Sequence, residues 1–168
     1  KPAILGNELK YISDALARGD VARGPYIERF ERAFAEWIGG RYAIAVSSGT
    51  AALHLAVMGG GRSWDNYVIA VPSLTFIATA NAVVCAGGPV KFLDIDSETW
   101  CLDALLLKWS VIIGAVIPVH LYGQMADMIT IDEIAYNKGV PVIEDACEAL
   151  GSKYHGKYAG AIGDIGCF

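Results

Sequence analysis

Short apolar runs at residues 42–46, 67–71, 90–93, 115–119 and 140–144 punctuate the chain, and none of them alternates strictly between apolar and polar residues. Strands half-exposed to water alternate; strands covered on both faces do not. Between the runs, segments 51–58, 78–86 and 131–138 read as helices. Strands that alternate with helices demand a parallel sheet with right-handed crossovers. The expected fold class is therefore α/β, a mostly parallel sheet flanked by helices. Ligands in such sheets bind beyond the carboxyl ends of the strands, so the informative residues are those just after each run.

The 168 residues allow about one domain or a large fragment of one, and the chain is 54% hydrophobic and only 18% charged. That composition is incompatible with disorder. A formal net charge of -5 argues against nucleic acid, which needs a basic face, so any phosphate bound must be held by local dipoles. The uncharged stretch 67–90 is long enough to cross a bilayer, but Pro72, Ser73, Thr75, Thr79, Asn81 and Gly87-Gly88 break it into a strand, a turn and a short buried helix. The run 104–119 is interrupted by Lys108 and Ser110 and ends at Pro118, so no membrane span is expected. No amino-terminal signal peptide is visible in a chain that begins at Lys1, and a cytoplasmic location is expected. Cys85, Cys101, Cys147 and Cys167 are widely spaced, form no CxxC pair, and read as buried free thiols.

Residues 26–38 place Ile27, Phe30, Phe34, Trp37 and Ile38 at helical spacing with charges opposite, and Gly39-Gly40 ends the helix. Its aromatic face reads as core or subunit packing. The 131–138 helix is introduced by Thr130 and Glu133, a capping-box spacing, and closed by Gly139. No internal repeat or linker is evident.

Three strand ends carry groups suited to chemistry. The first reads Val46-Ser47-Ser48-Gly49-Thr50-Ala51-Ala52-Leu53, small residues leading into a helix, whose free N–H groups and positive terminus make a cradle for phosphate or carboxylate. Ser and Thr here also serve as plain helix caps. The pattern is neither GxGxxG nor a P-loop. The second, Val71-Pro72-Ser73-Leu74-Thr75-Phe76-Ile77-Ala78-Thr79, places the Phe76 ring just past a strand, where it could stack on a planar ligand or sit in the core. The third, Val142-Ile143-Glu144-Asp145-Ala146-Cys147-Glu148, puts Asp145 after an apolar strand, where a poorly solvated carboxylate needs a partner. Its plainer readings are a helix cap or a metal ligand, although a metal site would want more carboxylates or histidines nearby than Glu144 and Glu148. Asp94, Asp96 and Glu98 start like a calcium loop but lack its glycine and terminal glutamate, and read as a solvated turn; no metal is expected. His54, His120 and His155 form no evident triad. A phosphate cradle, a stacking ring and a carboxylate at successive strand ends together match the needs of pyridoxal 5'-phosphate: an anion site, a flat wall and a partner that keeps the ring nitrogen protonated.

On these stretches, with Gly24-Pro25-Tyr26 through Phe30-Glu31, Pro118-Val119-His120-Leu121-Tyr122-Gly123, Glu144-Asp145-Ala146 through Gly151, and Gly163-Asp164-Ile165-Gly166-Cys167-Phe168, the chain resembles the DegT/DnrJ/EryC1/StrS family of pyridoxal-phosphate sugar aminotransferases. The resemblance covers nearly the whole chain and implies the large domain of a fold-type I aminotransferase, truncated. It implies that Gly49, Thr50 and Ala51 hold the cofactor phosphate, that Phe76 stacks on the ring, that Asp145 pairs with the ring nitrogen and that Glu148 lies near the ring hydroxyl. Many relatives have glutamine at this last position, and a glutamate adds a negative charge there. The Schiff-base lysine is expected beyond Phe168, together with a phosphate-binding serine, the rest of the large domain and a small carboxyl-terminal domain. Lys153 and Lys157 fall in a segment, 151–160, that reads as an exposed hairpin, and neither is assigned to catalysis. The implied activity is transfer of an amino group, from glutamate, to a keto group of a nucleotide-linked deoxysugar by a homodimer, with these 168 residues inactive alone. A sugar dehydratase or isomerase on the same scaffold, with histidine in place of the lysine, and a non-catalytic relative are the alternatives.

Overall fold

A computed structural model describes residues 3–60, 66–110 and 112–168. It divides into two units, Lys1–Ala45 and Val46–Phe168. In the first, helices α1 (Glu8–Arg18) and α2 (Pro25–Ile38) are joined where Asp14 accepts from the Tyr26 hydroxyl at 2.8 Å and pairs with Arg18 at 2.9 Å. Helix α2 stands where the apolar spacing places it; α1 lies outside the expected elements, although Leu9, Ile12 and Leu16 recur at helical spacing. The left-handed turn that ends α2 falls on Gly39, with φ 79°, as its position after the last apolar residue required. Residues 42–46 form no strand. A strand needs a neighbour to take its backbone groups; here the Ala45 N–H donates instead to the Glu31 carboxylate at 2.8 Å, and Tyr42 and Ile44 are exposed.

The second unit is the α/β sheet. Strand β1 (Val68–Pro72) lies between β2 (Val90–Leu93) and β3 (Ile113–Val116), both parallel to it. Strand β4 (Ile143–Asp145) runs parallel to β7 (Ile165–Cys167), and parallel bridges Val116–Val142 and Val119–Asp145 tie it to β3. The order is therefore β2-β1-β3-β4-β7, and β5 (Lys153–Tyr154) and β6 (Lys157–Tyr158) form the expected hairpin between β4 and β7. Helices α3 (Gly49–Gly59), α4 (Ala78–Cys85), α5 (Leu106–Trp109) and α6 (Met128–Lys138) complete it.

Side chains of a strand point alternately to its two faces. Ile69 and Val71 of β1, Ala115 and Ile117 of the third strand and its extension, and Ile143 of β4 pack with Leu53, Val57, Ala82 and Val83 of α3 and α4. Ala70, Val116 and Val142 pack instead with Leu107, Met128, Ile131 and Ile134 of α5 and α6. Two buried layers explain the apolar runs of β1, β3 and β4; β2, at the sheet edge, departs from the expectation of cover on both faces, with Lys91 and Phe92 exposed. Two boundaries move from expectation: β3 ends before Pro118 and β4 begins after Pro141, residues without an N–H to give a ladder. Helix α6 starts a turn earlier than the Thr130-Glu133 spacing suggests, because Asp127 is its cap, accepting from the Thr130 N–H at 3.2 Å. All four cysteines are free, but Cys85 and Cys147 are exposed, so only Cys101 and Cys167 meet the expectation of burial. No described helix is long and apolar enough to cross a membrane.

Candidate functional site

The ends of β1, β3 and β4 and the start of α3 enclose an open pocket of about 190 Å³. Ser48 caps α3, its hydroxyl accepting from the Ala51 N–H at 3.2 Å. That bond commits Ala51, which does not reach the pocket wall, while Gly49 and Thr50, whose N–H groups have no acceptor within the helix, do. A side chain at position 49 would not fit: its Cβ would lie 2.5 Å from Cys147 Sγ and 3.3 Å from the Phe168 carbonyl oxygen. Glycine thus lets the start of α3 press against the ends of β4 and β7.

Phe76 is 68% exposed and borders the pocket, which removes the core alternative for this ring. Leu53, Ala78, Val119 and Leu121 supply the other apolar wall. Asp145 is 5% exposed and also borders the pocket. Its Oδ2 accepts from the Thr79 hydroxyl at 2.7 Å and its Oδ1 from the Cys147 N–H at 3.2 Å, so both of these partners are neutral donors. A turn, not a helix, follows it, and no metal-binding group of His, Cys, Asp and Glu exists among the described residues. Glu148 is exposed at the rim and is held by its Oε2, which accepts from the Tyr122 N–H at 2.9 Å. Tyr122 adopts φ 53°, a left-handed conformation uncommon outside glycine, which aims that N–H at the glutamate. Lys153 and Lys157 lie on the β5–β6 hairpin, away from the pocket wall, and Lys153 Nζ sits 4.4 Å from the centre of the Tyr158 ring.

One arrangement has no local signal in the sequence. His120 and Glu144 are fully buried and meet at 2.9 Å. The Ala126 N–H donates to His120 Nδ1, which leaves Nε2 to carry the proton toward Glu144. Glu144 also accepts from the N–H groups of Gly160, Ile162 and Gly163 at 2.9, 2.7 and 2.6 Å. Burial by itself would push Glu144 up, but the bonds from His120 and the three amides outweigh it and hold the carboxyl below the usual glutamate range. Beside the pocket, burial of its sulfur and then the Asp145 charge push the Cys147 thiol up to about 12, keeping it a neutral thiol. Cys167 is pushed up to about 12 by burial first and by Asp145 and Glu144 after it. The Asp94, Asp96 and Glu98 segment is the solvated turn expected, with Asp96 accepting from the backbone N–H groups of Glu98 and Thr99.

The pocket offers helix-terminus donors for an anion, apolar and aromatic walls for a flat ring, and a buried carboxylate for a basic ring nitrogen. A planar heteroaromatic phosphate such as pyridoxal 5'-phosphate fits that donor set.

The chain matches the model of the DegT/DnrJ/EryC1/StrS aminotransferase family over residues 2–168, and it belongs to that family. It is 42% identical over 171 residues to GDP-perosamine synthase of Escherichia coli O157:H7, a match that covers 100% of this chain and 47% of the relative. It therefore spans about half the length of the curated relatives it matches. Among solved structures, NtdA of Bacillus subtilis with bound cofactor PMP superimposes with a TM-score of 0.83 at 36% identity, over 90% of this chain and 35% of that one. The E. coli GDP-4-keto-6-deoxy-D-mannose-3-dehydratase with bound hydrated PLP superimposes at 0.88 with 29% identity, over 97% of this chain and 44% of that one.

Proposed function

We propose that residues 1–168 are the cofactor-binding part of the large domain of a pyridoxal-phosphate-dependent aminotransferase that moves an amino group from glutamate to a keto group of a nucleotide-linked deoxysugar. The full protein works as a cytoplasmic homodimer, with its Schiff-base lysine and small domain outside these residues; the 168 residues alone are inactive. The observation that carries this reading is Asp145, a carboxylate 5% exposed at the wall of a pocket that also presents the start of α3 and the exposed Phe76 ring.

When bound, the cofactor supplies a protonated ring that withdraws electrons from the reacting carbon. Asp145 holds the proton on the ring nitrogen, because a buried negative charge favours a positive neighbour. Gly49 and Thr50 bind the phosphate through backbone N–H groups, and Ala51, by donating to Ser48, fixes the turn that presents them. Phe76 and the apolar wall orient the ring and exclude water from one face. Glu148, tethered by Tyr122 through one oxygen, would be the residue to meet the ring hydroxyl. Similarity to GDP-perosamine synthases supports a nucleotide-linked sugar as acceptor.

A dehydratase on the same scaffold is the second reading, favoured by the likeness to the E. coli 3-dehydratase. The full-length protein with pyridoxal phosphate, glutamate and a GDP-linked 4-keto-6-deoxyhexose separates the two: an amino sugar detected by mass spectrometry is the expected product, and a dideoxy sugar identifies the dehydratase. Absence of cofactor absorbance in the protein after dialysis would sink both.

A further inference from the structure

Thr79, on α4, is fully buried and does not reach the pocket wall, yet its hydroxyl lies 2.7 Å from Asp145 Oδ2 and 2.8 Å from the Thr75 hydroxyl. A hydroxyl has one proton, and an ionised carboxylate has none to give. Thr79 must therefore donate to Asp145, and the proton shared with Thr75 must come from Thr75. The alternative acceptor for both hydroxyls, the Phe76 carbonyl oxygen at 3.2 and 3.3 Å, is more distant. The direction of the chain is set: Thr75 to Thr79 to Asp145.

Strand parity explains why the contact exists. Asp145 follows Ile143 by two positions and so faces the same side of the sheet, where Ala82 and Val83 of α4 meet that isoleucine's layer. Thr79 lies one turn earlier on α4 and brings a donor to a place otherwise filled by apolar side chains. With the Cys147 N–H on Oδ1, the carboxylate is gripped at both oxygens, and a carboxylate held this way cannot rotate away from the pocket.

We infer that Thr79 is a positioning residue for Asp145: its hydroxyl sets the carboxylate rotamer and keeps its charge facing the pocket, so that the hold on a ring nitrogen depends on a residue that never touches the ligand. This rests on the reading of Asp145 given above. The side chain of Thr79 is consequently expected to matter only for ligands that carry that nitrogen.

The test measures dissociation constants of the full-length apo protein for pyridoxal 5'-phosphate and for its 1-deaza analogue, in which the ring nitrogen is a C–H. Thr79→Val, close in shape, should weaken pyridoxal phosphate about tenfold, the worth of a hydrogen bond to a charged group, and leave the analogue nearly unchanged. Thr79→Ser should restore wild-type binding. Equal weakening toward both ligands means a packing defect and overturns the proposal, as does no weakening at all. Should the valine variant fail to fold, Thr79→Ala is read by the same two outcomes. Asp145→Asn separates this inference from the one beneath it. If Asp145→Asn selectively weakens pyridoxal phosphate and Thr79→Val does not, only the positioning role falls. If wild type and Asp145→Asn hold the two ligands equally well, the cofactor reading falls and takes the positioning role with it.

Discussion

Glu144 and Asp145 are chain neighbours with the same charge, and the pleat of β4 gives them opposite roles. Glu144 turns toward His120 and the 160–163 amides, sealed from water, whereas Asp145 turns toward α4 and the pocket. The consequence for stability has a definite sign. A carboxyl whose folded value is depressed stabilises the fold above its unfolded value, near pH 4.3, and that contribution disappears as pH falls through the folded value. Glu144→Gln should therefore cost about 3 kcal/mol at neutral pH, since it leaves buried donors facing an amide. It should also flatten the acid limb of the stability profile, measured as urea midpoints between about pH 3 and pH 7. An unchanged acid limb would show that Glu144 is not ionised in the fold.

At the scale of elements, the start of α3 depends on the ends of two strands. Gly49→Ala would drive a methyl into Cys147 Sγ, a contact of 2.5 Å, and overpacking of this kind costs about 1–3 kcal/mol. Cys147→Ala in the same background should return part of that loss, because it removes the atom that is struck; the Phe168 carbonyl at 3.3 Å prevents full recovery. Denaturant midpoints of the two single variants and the double variant test this, and strictly additive losses would contradict it. Much at this scale was legible from residue order: α2, α3, α4 and the four sheet runs from 67 onward stand close to where periodicity placed them. Two of the failures share a cause. The run 42–46 is as apolar as β1, and only the absence of a paired neighbour distinguishes it. Asp127 and Thr130 are both good caps, and the choice between them follows from Asp127 also accepting from the Tyr154 hydroxyl, a contact made across 27 residues.

For the molecule as a whole, all but Ala51 of the six residues singled out at strand ends and helix starts border one pocket; Gly49, Thr50, Phe76, Asp145 and Glu148 were readable as candidates there because each follows a strand end or opens a helix. Thr79 and the His120–Glu144 pair were not, since each acts through a partner distant in sequence whose sheet face is undefined until the strand order is known. That order, β2-β1-β3-β4-β7, builds the pocket from positions as distant as 49 and 148. A ligand bound there engages only the completed sheet, so it stabilises the folded state by about 2.7 kcal/mol at one hundred times its dissociation constant. The expected result is a thermal midpoint that climbs with pyridoxal phosphate in wild type and much less in Asp145→Asn; equal climbs in both would refute it. A pocket whose walls are scattered this widely along the chain has a consequence during synthesis. The ribosome must release the chain past Glu148 before the walls that begin at Gly49 can close, so a shorter nascent chain has no site at which to capture a ligand.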